Sequence, residues 1–287
     1  MTLLQKICRL KNPPVKERYP KCINVPENIV RKPDPCIYSQ DELTASPEQI
    51  KWENINIRLF DVGTGGFVRS TFGLEEGSSY RIEVDVRNCS ADVVAHNTRV
   101  ELFFAPFGIG GIVVGLTHIP LSQSLVNIPP GAAQTVNTVW VNPTTSVAFL
   151  ARVSHPHDVN TINNQGWHIV RVDMQEPGNS SSPIFPIWNP FSGMRFIKVL
   201  ILEEGPEKWF PQSEIVIGRF DDFLPVGELP DSLSHIIDGH LSGLGLNVPD
   251  TVPVGVNHIS HLTAYALPTL DGPETLVGGV TYYIQII

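Results

Sequence analysis

Residues 80–88 read YRIEVDVRN, and the alternation in that run restricts the fold more than any other feature of the chain. Tyr80, Ile82, Val84 and Val86 fall on one side of an extended backbone, and Arg81, Glu83, Asp85 and Arg87 fall on the other. A period of two with one apolar side marks a strand that lies on a core and faces water opposite. Strand-like runs recur at Trp52–Asp61, Thr98–Ala105, Gly111–Leu116, Thr135–Val141, Ser146–Val153 and Trp167–Val172, punctuated by Gly, Pro or Asn. Seven short strands with such punctuation predict an Ig-like sandwich over 49–175. The Asn- and Asp-rich stretch His155–Gly166 reads as a hairpin tip, because those side chains form Asx-turns.

Residues 176–183, EPGNSSSP, have the composition of a linker. Beyond them Ile184–Asn189, Arg195–Leu202 and Glu214–Phe220 read as strands, and Asp231–His240 as a short helix. His258–Leu267 and Val277–Ile287 flank a Leu270–Pro273 turn, which is a hairpin signal. Before residue 48 the prolines at 13, 14, 20, 26, 33, 35 and 47 exclude a long helix and predict an extended segment. The expected fold is therefore all-β: two consecutive Ig-like antiparallel β-sandwich domains, at 49–175 and 184–287, preceded by an extended N-terminal arm at 1–48. The 25 prolines and 23 glycines carry no repeat period and fit many short elements joined by turns.

The formal charge of −9 is unevenly spread. Residues 1–35 hold eight Lys and Arg against three Asp and Glu, a net +5 that leaves −14 on the remainder. A basic arm on an acidic body could dock on nucleic acid, an anionic surface or an acidic neighbouring subunit, or be a solvated terminus; without interleaved aromatics nucleic acid is the weaker reading. Lys6, Arg9, Lys11, Lys16, Arg18 and Lys21 are its candidate contacts. Lys6 and Arg9 break the first apolar stretch, and nowhere do about 18 apolar residues run together. The expectation is a chain made in the cytoplasm without signal peptide or membrane insertion, or one carried in a particle or exported by a signal-less route. Of Cys8, Cys22, Cys36 and Cys89, none forms a C-x-x-C pair, so free thiols are the default. Two pairings, Cys22–Cys36 and Cys36–Cys89, stay open for an oxidising compartment.

Three stretches carry a family resemblance: YRIEVDVRNCS, the following NTRVELFFAPFG, and ARVSHPHDVNTINNQGWHIVRV with its Asp-x-Asn-x-x-Asn-Asn hairpin. Together they resemble the CARDB type of Ig-like domain, the cell-adhesion-related domain found in bacteria. PDPCIYSQ at 33–40, leading into WENINIRLF, is similar to bacterial proteins that carry such a domain. The resemblance covers residues 33–175, and more loosely the remainder. It implies a sandwich used for adhesion, spacing or assembly, with no catalytic residues to transfer.

Motif chemistry is sparse. The run Gly108–Val113 lacks the third glycine of a dinucleotide-binding loop, and no G-x-S-x-G, P-loop or H-E-x-x-H occurs. His155 and His157 share a strand face beside Asp158, a minimal donor set for a transition metal. His258 and His261, three apart, fall on opposite faces of a strand. Asp158, Asn160, Asn163 and Asn164 offer oxygens for Ca²⁺ but lack the closing bidentate acid, so turn formation accounts for them better. No cofactor is expected. The reading is a non-enzymatic structural or interaction protein that assembles with protein partners, as a homo-oligomer or in a larger particle. Phe107, Ile109, Trp209 and Phe210 are its candidate apolar contacts, with burial in a core as their alternative. The second reading is a carbohydrate- or polymer-binding module stacking on Trp52, Trp140, Trp167, Trp188 and Trp209. A metal-dependent hydrolase using His155, His157 and Asp158 is a remote third.

Overall fold

The computed structural model describes residues 31–44, 46–109, 119–187, 195–220, 240–241 and 244–287, with two short strands at 5–6 and 24–25. It is all-β; among the described residues no helix exceeds three residues. The expected strand at Gly111–Leu116 and helix at Asp231–His240 lie outside the described residues, except that His240 itself belongs to a strand.

β1 (Gln5–Lys6) and β2 (Asn24–Val25) form a separate ribbon. The first sandwich then begins with β3 (Pro35–Cys36), β4 (Ile57–Asp61), β5 (Phe67–Val68) and β6 (Ser79–Asn88). It continues with β7 (Ala95–Pro106), β8 (Ile119–Ile128), β9 (Ala133–Val141), β10 (Val147–Ser154) and β11 (Gln165–His168). Sheet one places β6 between β9 and β4, with β5 outside β4 and β3 pairing beyond the end of β4. Sheet two runs β11-β10-β7-β8. Between them lies a core that takes Tyr80, Ile82, Val84 and Val86 from β6 and Val100, Leu102 and Phe104 from β7. The alternation that predicts β6 as a half-buried strand is what fills this core.

β10 is different. Val147, Phe149, Ala151 and Val153 point into the sandwich, while Ala148 and Leu150 on its other face enter a second core. Sheet two is thus covered on both sides near β10, which removes the polar alternation from VAFLARV.

The second core rests on a third sheet. β12 (Val170–Gln175), β13 (Ser180–Ser181), β14 (Phe185–Pro186) and β15 (Arg195–Glu204) come first in the chain. β16 (Glu214–Phe220), β17 (His240–Leu241), β18 (Leu246–Asn247), β19 (Asn257–Leu267) and β20 (Thr275–Ile286) follow. The order is β12-β20-β19-β15-β16, antiparallel except that β12 and β20 are parallel. The ribbons β13-β18 and β14-β17 accompany this sheet, and Phe185 and Leu246 from them join its core. β19 and β20 form a hairpin, and both are buried on both faces over most of their length.

Residues 33–40 of the expected extended arm are strapped over the first sandwich, with Asp34 and Cys36–Gln40 buried. The Gln40 carboxamide fixes them: Nε2 donates to the carbonyls of Lys51 and Trp167 at 2.9 and 2.8 Å, and Oε1 accepts from Trp167 N–H at 3.0 Å. The run WHIVRV is not one closing strand. It breaks at Ile169, with β11 left in sheet two and β12 passed to the third sheet. The linker at 176–183 is tied down as well, since Ser180–Ser181 pair with β18 and Val248 N–H donates to the Asn179 carbonyl at 2.9 Å.

The free-thiol default also gives way. Cys36 and Cys89 form a disulfide that staples β3 to the end of β6 across 53 residues of chain. Closing a loop of that size restricts the unfolded chain and is worth about 2–5 kcal/mol. A Cys36→Ala, Cys89→Ala double variant should therefore unfold at lower urea, with ΔG reduced by about 2–5 kcal/mol. Separately, a methyl group at Gly279 would collide with the Trp52 indole and the Leu262 carbonyl. Gly279→Ala is expected to cost at least about 1–3 kcal/mol in the same assay, the range for overpacking a close contact.

Candidate functional site

A partly polar cleft of about 480 Å³ lies where the 51–54 segment and β5 meet the third sheet. Period two and strand register build its floor. His261 stands opposite Thr281, and Ile259 opposite Tyr283, so His261, Thr281 and Tyr283 share one face. Trp52 closes that face, its backbone N–H donating to Thr281 Oγ1 at 2.9 Å and its indole Nε1–H to Thr263 Oγ1 at 3.0 Å. Glu53 N–H donates to the same Thr281 Oγ1 at 2.9 Å.

From Thr281 the network runs outward. Thr281 Oγ1 lies 3.0 Å from His261 Nδ1, and His261 Nε2 lies 3.0 Å from Glu204 Oε1. Glu204 in turn pairs with Lys51. One tautomer satisfies every group: the Thr281 hydroxyl donates to Nδ1, and Nε2–H donates to the carboxylate. The His261 hydrogen bond, reinforced by Lys51 against a burial penalty, holds the Glu204 carboxyl at about 2. Beside it Glu53 pairs with Arg69 at 3.1 Å and accepts the Tyr283 hydroxyl. Arg69 sits 4.5 Å above the Tyr283 ring. Burial, with the Glu53 charge next, raises the Tyr283 phenol, so it stays a donor. His168 lines the cleft with Nδ1 3.1 Å from the Asn54 carbonyl, and burial lowers its basicity.

Thr281–His261–Glu204 has the hydrogen-bond order of a nucleophile, base and orienting acid. Its surroundings prevent that use. Thr281 is 0% exposed, and its oxygen already accepts two backbone N–H groups. No substrate carbonyl can reach it, and the trio acts as a brace between the 51–54 segment and the third sheet.

The opposite face of that sheet repeats the pairing. Glu203, next to Glu204 on β15, accepts from Trp209 N–H at 2.7 Å and lies 2.8 Å from His258 Nε2. Burial raises this carboxyl, but the His258 and backbone hydrogen bonds outweigh it and the net shift is downward. Trp209 stacks on the His258 ring at 4.1 Å. Two successive glutamates thus meet two histidines three residues apart, one pair on each face. Spacing alone could have signalled that pairing once β15 and β19 were known to be neighbours.

The sequence candidates fare unevenly. Phe107, Ile109, Trp209 and Phe210 are 0–4% exposed, so the expected apolar contacts are core residues instead. Phe107 packs on Phe72 at 5.1 Å, Ile109 N–H donates to the Pro186 carbonyl at 2.8 Å, and both belong to the second core. Lys6 lies in β1, and Arg9, Lys11, Lys16, Arg18 and Lys21 lie outside the described residues. His155 Nδ1 accepts His157 N–H at 3.1 Å, while Asp158 accepts Asn160 N–H and Asn164 Nδ2–H. Those bonds make a turn, and no group of three His, Cys, Asp or Glu able to hold a metal exists among the described residues. His155, His157 and Asp158 are thus placed together on that turn, His155 and His157 with ring centroids 5.9 Å apart. Trp52, Trp140, Trp167 and Trp209 are at most 6% exposed and offer no stacking platform; Trp188 lies outside the described residues.

No family model matches the chain, and no curated protein does. Solved structures give distant likenesses. The CARDB domain of a Pyrococcus furiosus protein, in complex with di-metal ions, is 13% identical over 49% of this chain and 94% of that domain, with a TM-score of 0.31. Trypsin-activated alpha-2-macroglobulin from Escherichia coli is 8% identical over 74% of this chain, which spans 17% of that protein, at a TM-score of 0.26. The CupB6 tip adhesin from Pseudomonas aeruginosa is 9% identical over 81% of this chain and 99% of that one, at 0.19. The all-β architecture stands on the sheets described above.

The low Glu204 pKa has a pH signature. Its folded value, about 2, lies below its ordinary 4.5, so the ionised group contributes stability above pH 4.5 that is lost as the pH falls toward 2. Glu204→Gln should flatten that acid limb when urea midpoints are measured from neutral pH to about pH 2. An unchanged slope would mean that the His261–Glu204 pair contributes nothing to stability.

Proposed function

We propose that this chain is a non-enzymatic structural module whose rigid all-β body presents sheet edges, and a basic N-terminal segment, for assembly or adhesion with protein partners. The observation that carries this reading is the junction at Ile169. There the chain passes from the first sandwich to the third sheet without a spacer, Ile169 N–H donating to the Trp52 carbonyl at 2.8 Å and its carbonyl accepting Thr281 N–H at 3.0 Å. A joint made of backbone hydrogen bonds inside a shared core resists hinging, as a spacer or assembly unit requires.

Two further features support it. β9 pairs with β6 alone among the described residues and exposes Val139 and Val141, by 62% and 60%, on its outer face. An edge of that kind suits strand addition by a partner. The Cys36–Cys89 disulfide fits a compartment that oxidises thiols.

The test is sedimentation velocity on the full chain and on a version lacking residues 1–30, at low and high salt. Salt-sensitive association of the full chain, lost on removing the basic residues, is expected. A monomer under every condition that also retains no protein when immobilised would overturn the reading.

A further inference from the structure

The hairpin tip at 155–164 and the buried strap at 33–37 lie against each other. Val159 N–H donates to the Pro33 carbonyl at 3.3 Å, and Ile37 N–H to the Asn163 carbonyl at 3.0 Å. This brings to the loop an acid that its own sequence lacks. Asp34 is 1% exposed and has no ion-pair partner among the described residues. Its carboxylate accepts Asn163 Nδ2–H at 3.2 Å, while Asp158, on the loop, accepts Asn164 Nδ2–H at 2.8 Å.

Each asparagine thereby turns its amide nitrogen to a carboxylate and leaves its carbonyl oxygen buried. Asn163 Oδ1 and Asn164 Oδ1 are both enclosed without a hydrogen-bond partner, on residues 1% and 9% exposed. Buried carbonyl oxygens without donors are expensive, and two on adjacent residues beside two carboxylates form a pattern. Half a turn of each carboxamide would aim its oxygen at the carboxylate. That geometry is repulsive for ionised carboxylates unless a cation lies between them; otherwise the carboxyl must hold a proton to donate.

We propose that Asp34, Asp158, Asn163 and Asn164 form a site for Ca²⁺ that clamps the 33–37 strap to the 155–164 loop. The donor set is all oxygen, which favours Ca²⁺ or Mg²⁺ over zinc or copper. Mixed carboxylate and carboxamide donors on two irregular segments suit the larger, less regular calcium shell, with backbone carbonyls or water completing six to eight ligands. Binding gives both stranded oxygens a partner and neutralises the two acids together. The state of Asp34 agrees: burial, moderated by the Asn163 hydrogen bond and reinforced by the Asp158 charge, pushes its carboxyl up to about 6. Asp158 is likewise raised by burial, against its own hydrogen bonds and the charge of His155.

The test is calorimetric titration of chelator-treated full-length protein with CaCl₂, and with MgCl₂ for comparison, alongside thermal melts. One Ca²⁺ site with Kd on the order of 10⁻⁴ M is expected, with Mg²⁺ at least roughly tenfold weaker. At about a hundredfold excess over Kd, Tm should rise by roughly 5 °C. Asp34→Asn should weaken Ca²⁺ at least about tenfold and remove the Tm rise. In chelator its own Tm should not fall below that of the parent chain, because the substitution removes a buried charge. Asp158→Asn, which keeps the turn-forming oxygen, should weaken Ca²⁺ in the same way and serves if the first variant does not fold. No calcium heat and no Tm shift in the parent chain would overturn the proposal. So would parent-like Ca²⁺ affinity in whichever of the two variants folds.

Discussion

Trp52 gives the third sheet two hydrogen bonds, one from its backbone to Thr281 and one from its indole to Thr263, and it can do so only because Gly279 leaves room for the ring. That contact fixes where the third sheet lies against the 51–54 segment. The Glu53 and His261 bonds to Thr281 follow from it, as does the alignment that lets Ile169 bond to Trp52 and Thr281 at once. The anchor is apolar in area and polar at its ends. The burial of a full indole supplies the driving force, and the two donors select one orientation of the ring.

The same division appears around β15. Glu203 and Glu204 face opposite sides of a largely apolar sheet, a placement that would be costly for unpaired carboxylates. Each instead meets a histidine of β19 and at least one further donor or cation: Trp209 N–H for Glu203, Lys51 for Glu204. Replacing a buried pair such as Glu203–His258 by apolar residues often leaves stability unchanged, so its role is better sought in registration. A slip of β15 against β19 by one residue would strand both acids on the wrong faces.

Much of the first sandwich was legible because its strands keep one wet face. β6 shows this best, with its burial alternating along the whole strand. The β19–β20 hairpin was legible from its turn residues and its two long apolar runs. The break at Ile169 was not, since WHIVRV keeps a strand-like pattern on both sides of the transfer and nothing local marks a change of sheet. Phe107, Ile109, Trp209 and Phe210 looked like loop contacts because burial by a sequence-distant segment leaves no local trace. Asp34 was hidden for the same reason. Its partner Asn163 is more than 120 residues away, and only the strap's path across the sandwich brings them together.

The parallel pairing of β12 with β20 has a bearing on how this chain reaches its native state. β20 occupies the slot between β12 and β19, and its register with β12 joins residues more than 100 positions apart, Val170 with Thr281. Until β20 is in place, β12 and β19 each offer an unpaired backbone row beside apolar side chains. Contacts of that separation form slowly, because a long loop must close before they return any energy. The first sandwich, whose strands pair over shorter distances, can be complete while the third sheet is still open down its middle. The interval between those two events is when this protein is most exposed to pairing with another chain, and when a chaperone would have the most to shield.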